Sequence, residues 1–262
     1  MEARPRSGTH APVAVITGGS SGIGAEVARL LTADGWRCVL VARGEERLRT
    51  LAGELGAEAE VCDVGDRAAV DALAANVTSR HPRIKLLVNN AGVPGKADFV
   101  TGDPERIENV MRINYFGGIW CLRSFLPALE AAAPADVVNV VSVAGTVVLP
   151  QSGPYGASKH AQLAFSRAVA AQLRPRGIRV HTVLPGFSPT AGFPEPSVLP
   201  KALEWTVIEP ERIARTIVGS VAHDRRESFV PWWFRSMAVL QGSAPSTFSR
   251  GLTWFSRRFA RR

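Results

Sequence analysis

Acidic residues run out early. From Ser228 onward the chain carries six of its 31 basic residues and no aspartate or glutamate, leaving +2 of the formal +8 for everything before. The basicity is therefore a property of the tail, not of a nucleic-acid-binding domain, and no nucleic-acid partner is expected. Cysteine is scarce. Cys38, Cys62 and Cys121 are an odd number, with no CxxC pair and no neighbouring histidine cluster, which argues against a disulfide framework or a metal site and for buried reduced thiols. No window approaches ~18 consecutive apolar residues, and residues 1–12 are polar with Arg4 and Arg6, so neither a membrane span nor a signal peptide is expected. Repeats, low-complexity tracts and an interdomain linker are absent as well. A cytoplasmic protein is the expectation.

What is present is a chain of 262 residues, 46% hydrophobic, enough for one large α/β core. Residues 13–17 are a β-branched, apolar run broken by Thr17-Gly18-Gly19-Ser20-Ser21-Gly22-Ile23-Gly24, and 23–33 then has helical periodicity ending at Asp34-Gly35. Strand, glycine turn and helix in that order make a phosphate cradle. Gly18 permits the tight turn, Gly22 lets the backbone approach a pyrophosphate, Gly24 allows close packing, and N–H groups at the helix start face the anion. The spacing G-xxx-G-x-G differs from the general dinucleotide fingerprint but serves the same physics. A second strand, 37–42, is continuously apolar from Cys38 to Val41, as a strand covered on both faces must be. It ends at Ala42-Arg43, where an acid would accept from a ribose 2′-hydroxyl. A guanidinium there suits a 2′-phosphate, the alternative being a solvated arginine at a helix start. Further strands are expected at 58–62, 85–88, 136–141, 178–184 and 228–230, and helices at 45–55, 67–79, 104–129, 155–173 and 212–221. Asp66 caps the third helix, and Asp103-Pro104-Glu105 starts the fourth. His181 alternates on a strand without a ligand partner and reads as core; Phe116, Ile119, Trp120 and Leu122 read as core or subunit interface.

Tyr155 and Lys159 stand one helical turn apart, about 6 Å. A lysine charge there can favour the phenolate and bring a group that ordinarily titrates near ~10 towards a range useful for proton transfer. Ser142 follows the 136–141 run, at a strand's carboxyl end where ligands are met. Asn114 lies among Ile113, Phe116 and Ile119 inside a helical pattern that disfavours it, and a buried carboxamide must find partners.

TGGSSGIG, Asn89-Asn90-Ala91-Gly92, Asn114, Ser142, Tyr155 with Lys159, and Pro185-Gly186 resemble, in order and spacing, the short-chain dehydrogenase/reductase family over roughly residues 11–230. The resemblance implies an α/β fold, a Rossmann-type doubly wound, mostly parallel sheet of about seven strands flanked by helices. It would occupy 12–231, between a flexible start, 1–11, and a basic amphipathic helical extension, 232–262. It implies an oxidoreductase acting on an alcohol/carbonyl pair with NADP(H) in preference to NAD(H) and no metal, with Asn114, Ser142, Tyr155 and Lys159 catalytic. Cofactor contacts carried over are Gly18, Ser20, Ser21, Gly22, Ile23, Gly24, Arg43, Asp63, Val64, Asn90, Ala91, Gly92, Tyr155, Lys159, Pro185, Gly186, Ser188 and Thr190. Among these, Asp63 would meet the adenine amino group, Lys159 the ribose hydroxyls and the 185–190 loop the nicotinamide carboxamide. Asn114 would order a water linking Lys159 to solvent, and the proline-broken 187–208 segment would be a substrate flap. A homodimer or homotetramer through the 104–129 and 155–173 helices is implied too. A catalytically silent nucleotide-binding scaffold or redox sensor is the alternative, against which the intact Asn-Ser-Tyr-Lys set argues.

The tail departs from the common family ending. Phe248, Leu252, Phe255 and Phe259 recur at +4, +7 and +11, within about 60° on a helix, with Arg250, Arg257 and Arg261 opposite and Arg258 and Arg262 flanking. With Trp232, Trp233 and Trp254, this predicts a basic amphipathic helix, too short to span a bilayer, making peripheral contact with an anionic membrane through 246–262. Packing on a partner subunit is the alternative. A docked enzyme would favour lipophilic substrates.

Overall fold

A computed structural model of the chain describes residues 11–95, 99–148, 153–189, 207–248 and 250–251. Seven strands, β1 (Val13–Thr17), β2 (Arg37–Ala42), β3 (Glu58–Val61), β4 (Leu86–Asn89), β5 (Ala135–Val140), β6 (Ile178–Pro185) and β7 (Glu227–Val230), form one sheet in the order β3-β2-β1-β4-β5-β6-β7. Every neighbouring pair is parallel. The helices are α1 (Gly22–Ala33), α2 (Glu45–Leu55), α3 (Arg67–Arg80), α4 (Pro104–Met111), α5 (Gly117–Ala131), α6 (Gly153–Leu173), α7 (Pro210–Ala222) and α8 (Phe234–Ser243).

Strand periodicity of two divides the apolar residues between two cores. Val13, Val15, Val39, Leu87, Val137 and Val180 face the layer holding Val70, Leu73, Cys121 and Phe125 from α3 and α5. Their strand neighbours Ala14, Ile16, Leu40, Val88, Val138 and Val183 face Val27, Leu31, Leu48, Ile213 and Ile217 from α1, α2 and α7. All three cysteines are buried and unpaired. Strand order reverses between β1 and β4, so the loops after β1 and β4 part to opposite sides and leave a crevice at the carboxyl ends of the strands.

Local signals hold where the chemistry is local. Asp66 accepts from Ala68 N (2.8 Å) and Ala69 N (3.2 Å) at the start of α3, and Asp103 accepts from Glu105 N (3.0 Å) at α4. The 104–129 pattern predicts one helix, whereas the structure interrupts it with a π-helical turn, Arg112–Phe116, in which Gly117 N donates to Arg112 O five residues back. Helix α8 lies inside the expected 232–262 helical extension, ahead of the 246–262 stretch that carries the amphipathic pattern. Its Phe234 is buried against Gly186, where a Cβ would run into the ring. Among the described residues no helix is long and apolar enough to cross a membrane. Thr190, most of the 187–208 segment, and Leu252, Phe255 and Phe259 of the expected tail helix lie outside the described residues.

At the opposite end of the sheet from the crevice, buried Asp136 holds β6 to β5. It accepts from Arg179 Nη2 (2.9 Å) and meets His181 Nε2 (2.9 Å), while His181 Nδ1 reaches Arg225 O (2.8 Å) before β7. Arg179 Nε lies 2.8 Å from the same carboxylate, as an ion-pair contact without hydrogen-bond alignment. His181 is thus core, as its strand position predicts. Replacing Asp136 by alanine strands the buried His181 ring and the partly exposed Arg179 guanidinium, and breaking a buried ion pair on one side costs at most about 3–5 kcal/mol. Asp136→Ala is expected to lower Tm by roughly 6–15 °C at this chain length, measured by scanning calorimetry; an unchanged Tm would show that the network contributes nothing.

Candidate active site

The loop after β1 is shaped by contacts closer than a side chain allows. Gly18 and Gly22 have φ of 65° and 54°, and a Cβ on Gly24 would run into Gly18 O. Gly24 thus lets α1 close onto its own loop, so that α1 starts at Gly22 with Ser20, Ser21 and Ile23 beside its first N–H groups. Thr17 ties this turn to β4: its Oγ1 donates to Val88 O (3.2 Å) and accepts from Asn90 N (3.0 Å) and Ala91 N (3.1 Å). Asn90 Nδ2 donates back to Thr17 O (3.0 Å) and Gly18 O (3.3 Å), and Asn89 Nδ2 to Asn139 Oδ1 (2.9 Å). The paired carboxamides bind neighbouring strands as their position implies.

Arg43 is exposed just past β2. Its Nη1 lies 3.8 Å from Asp63 Oδ2, while Asp63 Oδ1 accepts from Gly65 N (2.8 Å). Val64 is buried against Gly117. A groove of ≈ 830 Å³ runs between α1 and α2, lined by Ser20, Ser21, Gly22, Gly44 and Arg47 among others. It borders the glycine turn but touches none of Ser142, Tyr155 or Lys159, so the reacting centre is not in it.

That centre lies where α6 crosses the ends of β4 and β5. Lys159 is 4% exposed, its Nζ donating to Gln162 Oε1 (2.8 Å) and Val140 O (3.2 Å) and standing 5.7 Å from the Tyr155 ring centroid. Asn114 uses its whole side chain as a clamp. Nδ2 donates to Val93 O and Ser158 Oγ (both 3.0 Å), Oδ1 accepts from Val93 N (2.8 Å), and Ser158 Oγ donates to Tyr155 O (2.8 Å). The π-turn, the loop after β4 and the first turn of α6 are thereby locked together. Gly92 fits over the junction, 3.8 Å from Lys159 Nζ to a would-be Cβ. Gly95 passes so close to α6 that a Cβ would lie 2.6 Å from Tyr155 N. Ser142 is buried, its Oγ accepting from Ala144 N (3.1 Å) and donating at 3.4 Å to Pro185 O.

Burial dominates the electrostatics. The Tyr155 phenol is pushed up to about 12 by burial, with a hydrogen bond to Ser142 opposing, and Lys159 is brought down to about 7 by burial alone. The lowered tyrosine expected from Lys159 is therefore not what its surroundings produce. The lysine sits over the ring face, and its own charge is weakened by the same dry surroundings. Tyr155 as a residue is partly buried.

The structure brings Ser142, Tyr155, Lys159 and Asn114 to one place, with Gly92, Pro185, Gly186 and Ser188 at neighbouring strand ends. Ser188 Oγ is buried with no hydrogen-bond partner among the described residues. Thr17, Gly95, Ser158, Gln162 and Phe234 were not singled out from sequence. Ser158 and Gln162 did carry a signal, as polar residues one before and three after Lys159 on a helix whose face is buried there.

The family model for "short chain dehydrogenase" matches residues 12–195. A putative ketoacyl reductase of Streptomyces coelicolor is 38% identical over 185 residues, covering 68% of this chain and 71% of that protein. A short chain dehydrogenase from Burkholderia cenocepacia in complex with NADP superposes with a TM-score of 0.80 at 26% identity, covering 93% of this chain and 98% of that one. A short chain dehydrogenase/reductase from Burkholderia phymatum in complex with NAD gives 0.80 at 26% identity over 89% and 93%. With a family model matching most of its length and solved members superposing on its seven-stranded parallel sheet, the chain belongs to the short-chain dehydrogenase/reductase family of oxidoreductases.

Proposed function

We propose that the chain is an NADP(H)-dependent oxidoreductase that interconverts a secondary or primary alcohol with its ketone or aldehyde, with Tyr155 as general acid and base. The observation that carries this reading is a shielded phenol hydrogen-bonded to Ser142, with the Lys159 amine over its ring, at the carboxyl ends of the strands. The residues fit a dinucleotide: the Gly18-Gly24 contact leaves backbone where a Cβ would intrude, and the Ser188 hydroxyl, without a hydrogen-bond partner among the described residues, suits a carboxamide. When bound, the nicotinamide supplies hydride in reduction and takes it in oxidation.

In reduction, Tyr155 is held as the neutral phenol at neutral pH and donates its proton to the carbonyl oxygen, to which Ser142 donates a second hydrogen bond. In oxidation, Tyr155 must accept the alcohol proton, and Lys159 in its charged form stabilises the phenolate that does so. Both Asn114 N–H groups are taken by Val93 O and Ser158 Oγ, so a water linking Lys159 to solvent would be held by acceptors, the second lone pair of Asn114 Oδ1 or the carbonyls of the π-turn. There the wider turn disturbs the carbonyl ladder. Tyr155→Phe is expected to abolish turnover while leaving NADP(H) affinity nearly unchanged. The assay screens NADPH against ketones, aldehydes, quinones and lipid-like carbonyls. Residual activity within tenfold of the parent would remove Tyr155 as the proton donor.

For the cofactor, NADP(H) is favoured by Arg43. Its contact with Asp63 is long and solvent-exposed, the kind worth ~0–1 kcal/mol, so the guanidinium stays available to a 2′-phosphate. The NADP complex of the Burkholderia cenocepacia neighbour supports this, while the NAD complex of the second neighbour makes the choice specific to each chain. A charge-assisted contact is worth ~1.5–3 kcal/mol, so Arg43→Ala should weaken NADPH roughly ten- to a hundredfold and NADH far less, read by fluorescence titration. Equal loss for both would make Arg43 structural.

We also infer a lipophilic substrate and peripheral contact with an anionic membrane. Trp232 (79% exposed), Val239 and Leu240 stand exposed with Arg235 and Arg250 nearby in sequence, and the similar ketoacyl reductase is named for an acyl substrate. The intact chain is expected to co-sediment with anionic vesicles at low salt and to be released at high salt. A version ending at Pro231 should stay in the supernatant. Equal binding of the intact chain to neutral vesicles would overturn the electrostatic part.

A further inference from the structure

Gln162 is a buried polar side chain to which the scheme above gives no task. It is 2% exposed on α6, three residues past Lys159. A carboxamide taken out of water is costly unless a partner replaces the water. Its Oε1 meets Lys159 Nζ at 2.8 Å, and because an ammonium has donors only, the amide must present its oxygen there. The second acceptor on Nζ is Val140 O at the end of β5, 3.2 Å away. Around Nζ, α6 also contributes the Tyr155 ring, and the π-turn contributes Asn114 beside Gly92. Tyr155 is the one titratable group in that set. No carboxylate forms an ion pair with Lys159 among the described residues, so neutral dipoles alone carry its charge.

We propose that Gln162 is a positioning residue of the proton-transfer site: its carboxamide oxygen holds the Lys159 amine in its charged form against Val140. Through that amine it sets the pH range in which Tyr155 exchanges its proton. The inference rests on the roles of Tyr155 and Lys159 given under the proposed function. Because burial alone brings Lys159 to about 7, one hydrogen bond more or less shifts its charge state where an exposed lysine would be indifferent.

The chain has four lysines, at 85, 96, 159 and 201, so 13C-labelled lysine gives few ε-carbon signals, with Lys159→Arg assigning the one of interest. In the unliganded parent that signal should titrate near 7. Gln162→Met keeps the length and volume but not the acceptor, and should move the midpoint down by about one pH unit or more. Gln162→Glu supplies an anion and should move it up. A midpoint shared by parent and Met variant, or a Glu variant that fails to raise it, overturns the proposal. Should the Met variant not fold, the Glu variant decides by direction alone. This titration needs no turnover, so it stands or falls separately from the Tyr155→Phe result. With a carbonyl that the parent reduces, the alkaline limb of kcat should follow the same order, lowest in Met and highest in Glu, with KM for the carbonyl unchanged. A limb that stays put while the NMR midpoint moves would remove the link to Tyr155.

Discussion

Removal of water from the Tyr155 and Lys159 side chains is the constraint on which the rest of the site depends. Burial pushes each group towards its neutral form, the phenol up to about 12 and the amine down to about 7. A tyrosine in that state is a stable proton donor and a poor base. The neighbouring cation that would make it a base has to be maintained by dipoles, since no acid pairs with it among the described residues. Val140 O and the Gln162 carboxamide are those dipoles, while Ser142 acts on the phenol itself. The charge state of Lys159 thus rests on a balance between desolvation and two hydrogen bonds of 2.8 and 3.2 Å.

Keeping that pocket dry and fixed takes contributions from four parts of the chain. Asn114 spends its donors and acceptor on Val93 and Ser158, which pins the loop after β4 to α6. It is able to do so because the helix widens into a π-turn at 112–116, turning the carboxamide inward. Glycines 92, 95 and 145 allow the backbones to close over Tyr155 and Lys159; a Cβ on Gly145 would lie 2.7 Å from Lys159 O. Phe234, from beyond the seventh strand, fills the space over Gly186 and so joins α8 to the loop after β6. On the far side of that loop Ile208 N donates to Phe187 O at 2.8 Å, so the chain leaves and re-enters the site at one point.

Element type was legible wherever neighbouring residues decide it. The apolar runs of β1, β2 and β6, the Asp66 and Asp103 caps and the glycine turn all depend on contacts a few residues apart, and the structure places them within a residue or two of the positions the pattern predicts. The interruption of 104–129 was not legible, because helical periodicity looks the same on either side of one inserted residue. The bounds of helix α8 inside the expected helical extension were not legible for a related reason. Its buried face is narrow, Phe234 being its one fully buried residue, so its stability comes from Gly186 rather than from its own pattern.

For the site, the sequence alone determined which residues come together: Tyr155 and Lys159 by helical spacing, Ser142 by its place after an apolar strand, and the glycines by the turn they permit. What it could not determine was their electrostatic state. The spacing of Tyr155 and Lys159 predicts a tyrosine lowered by a lysine, and it was the depth of both groups beneath α6 and the strand ends that reversed the balance. Likewise Gln162 reads as an ordinary polar helix position until the fold buries it against the amine. Spacing along a chain fixes which groups can meet, but desolvation depends on everything packed around them, and only the tertiary structure assembles that surrounding.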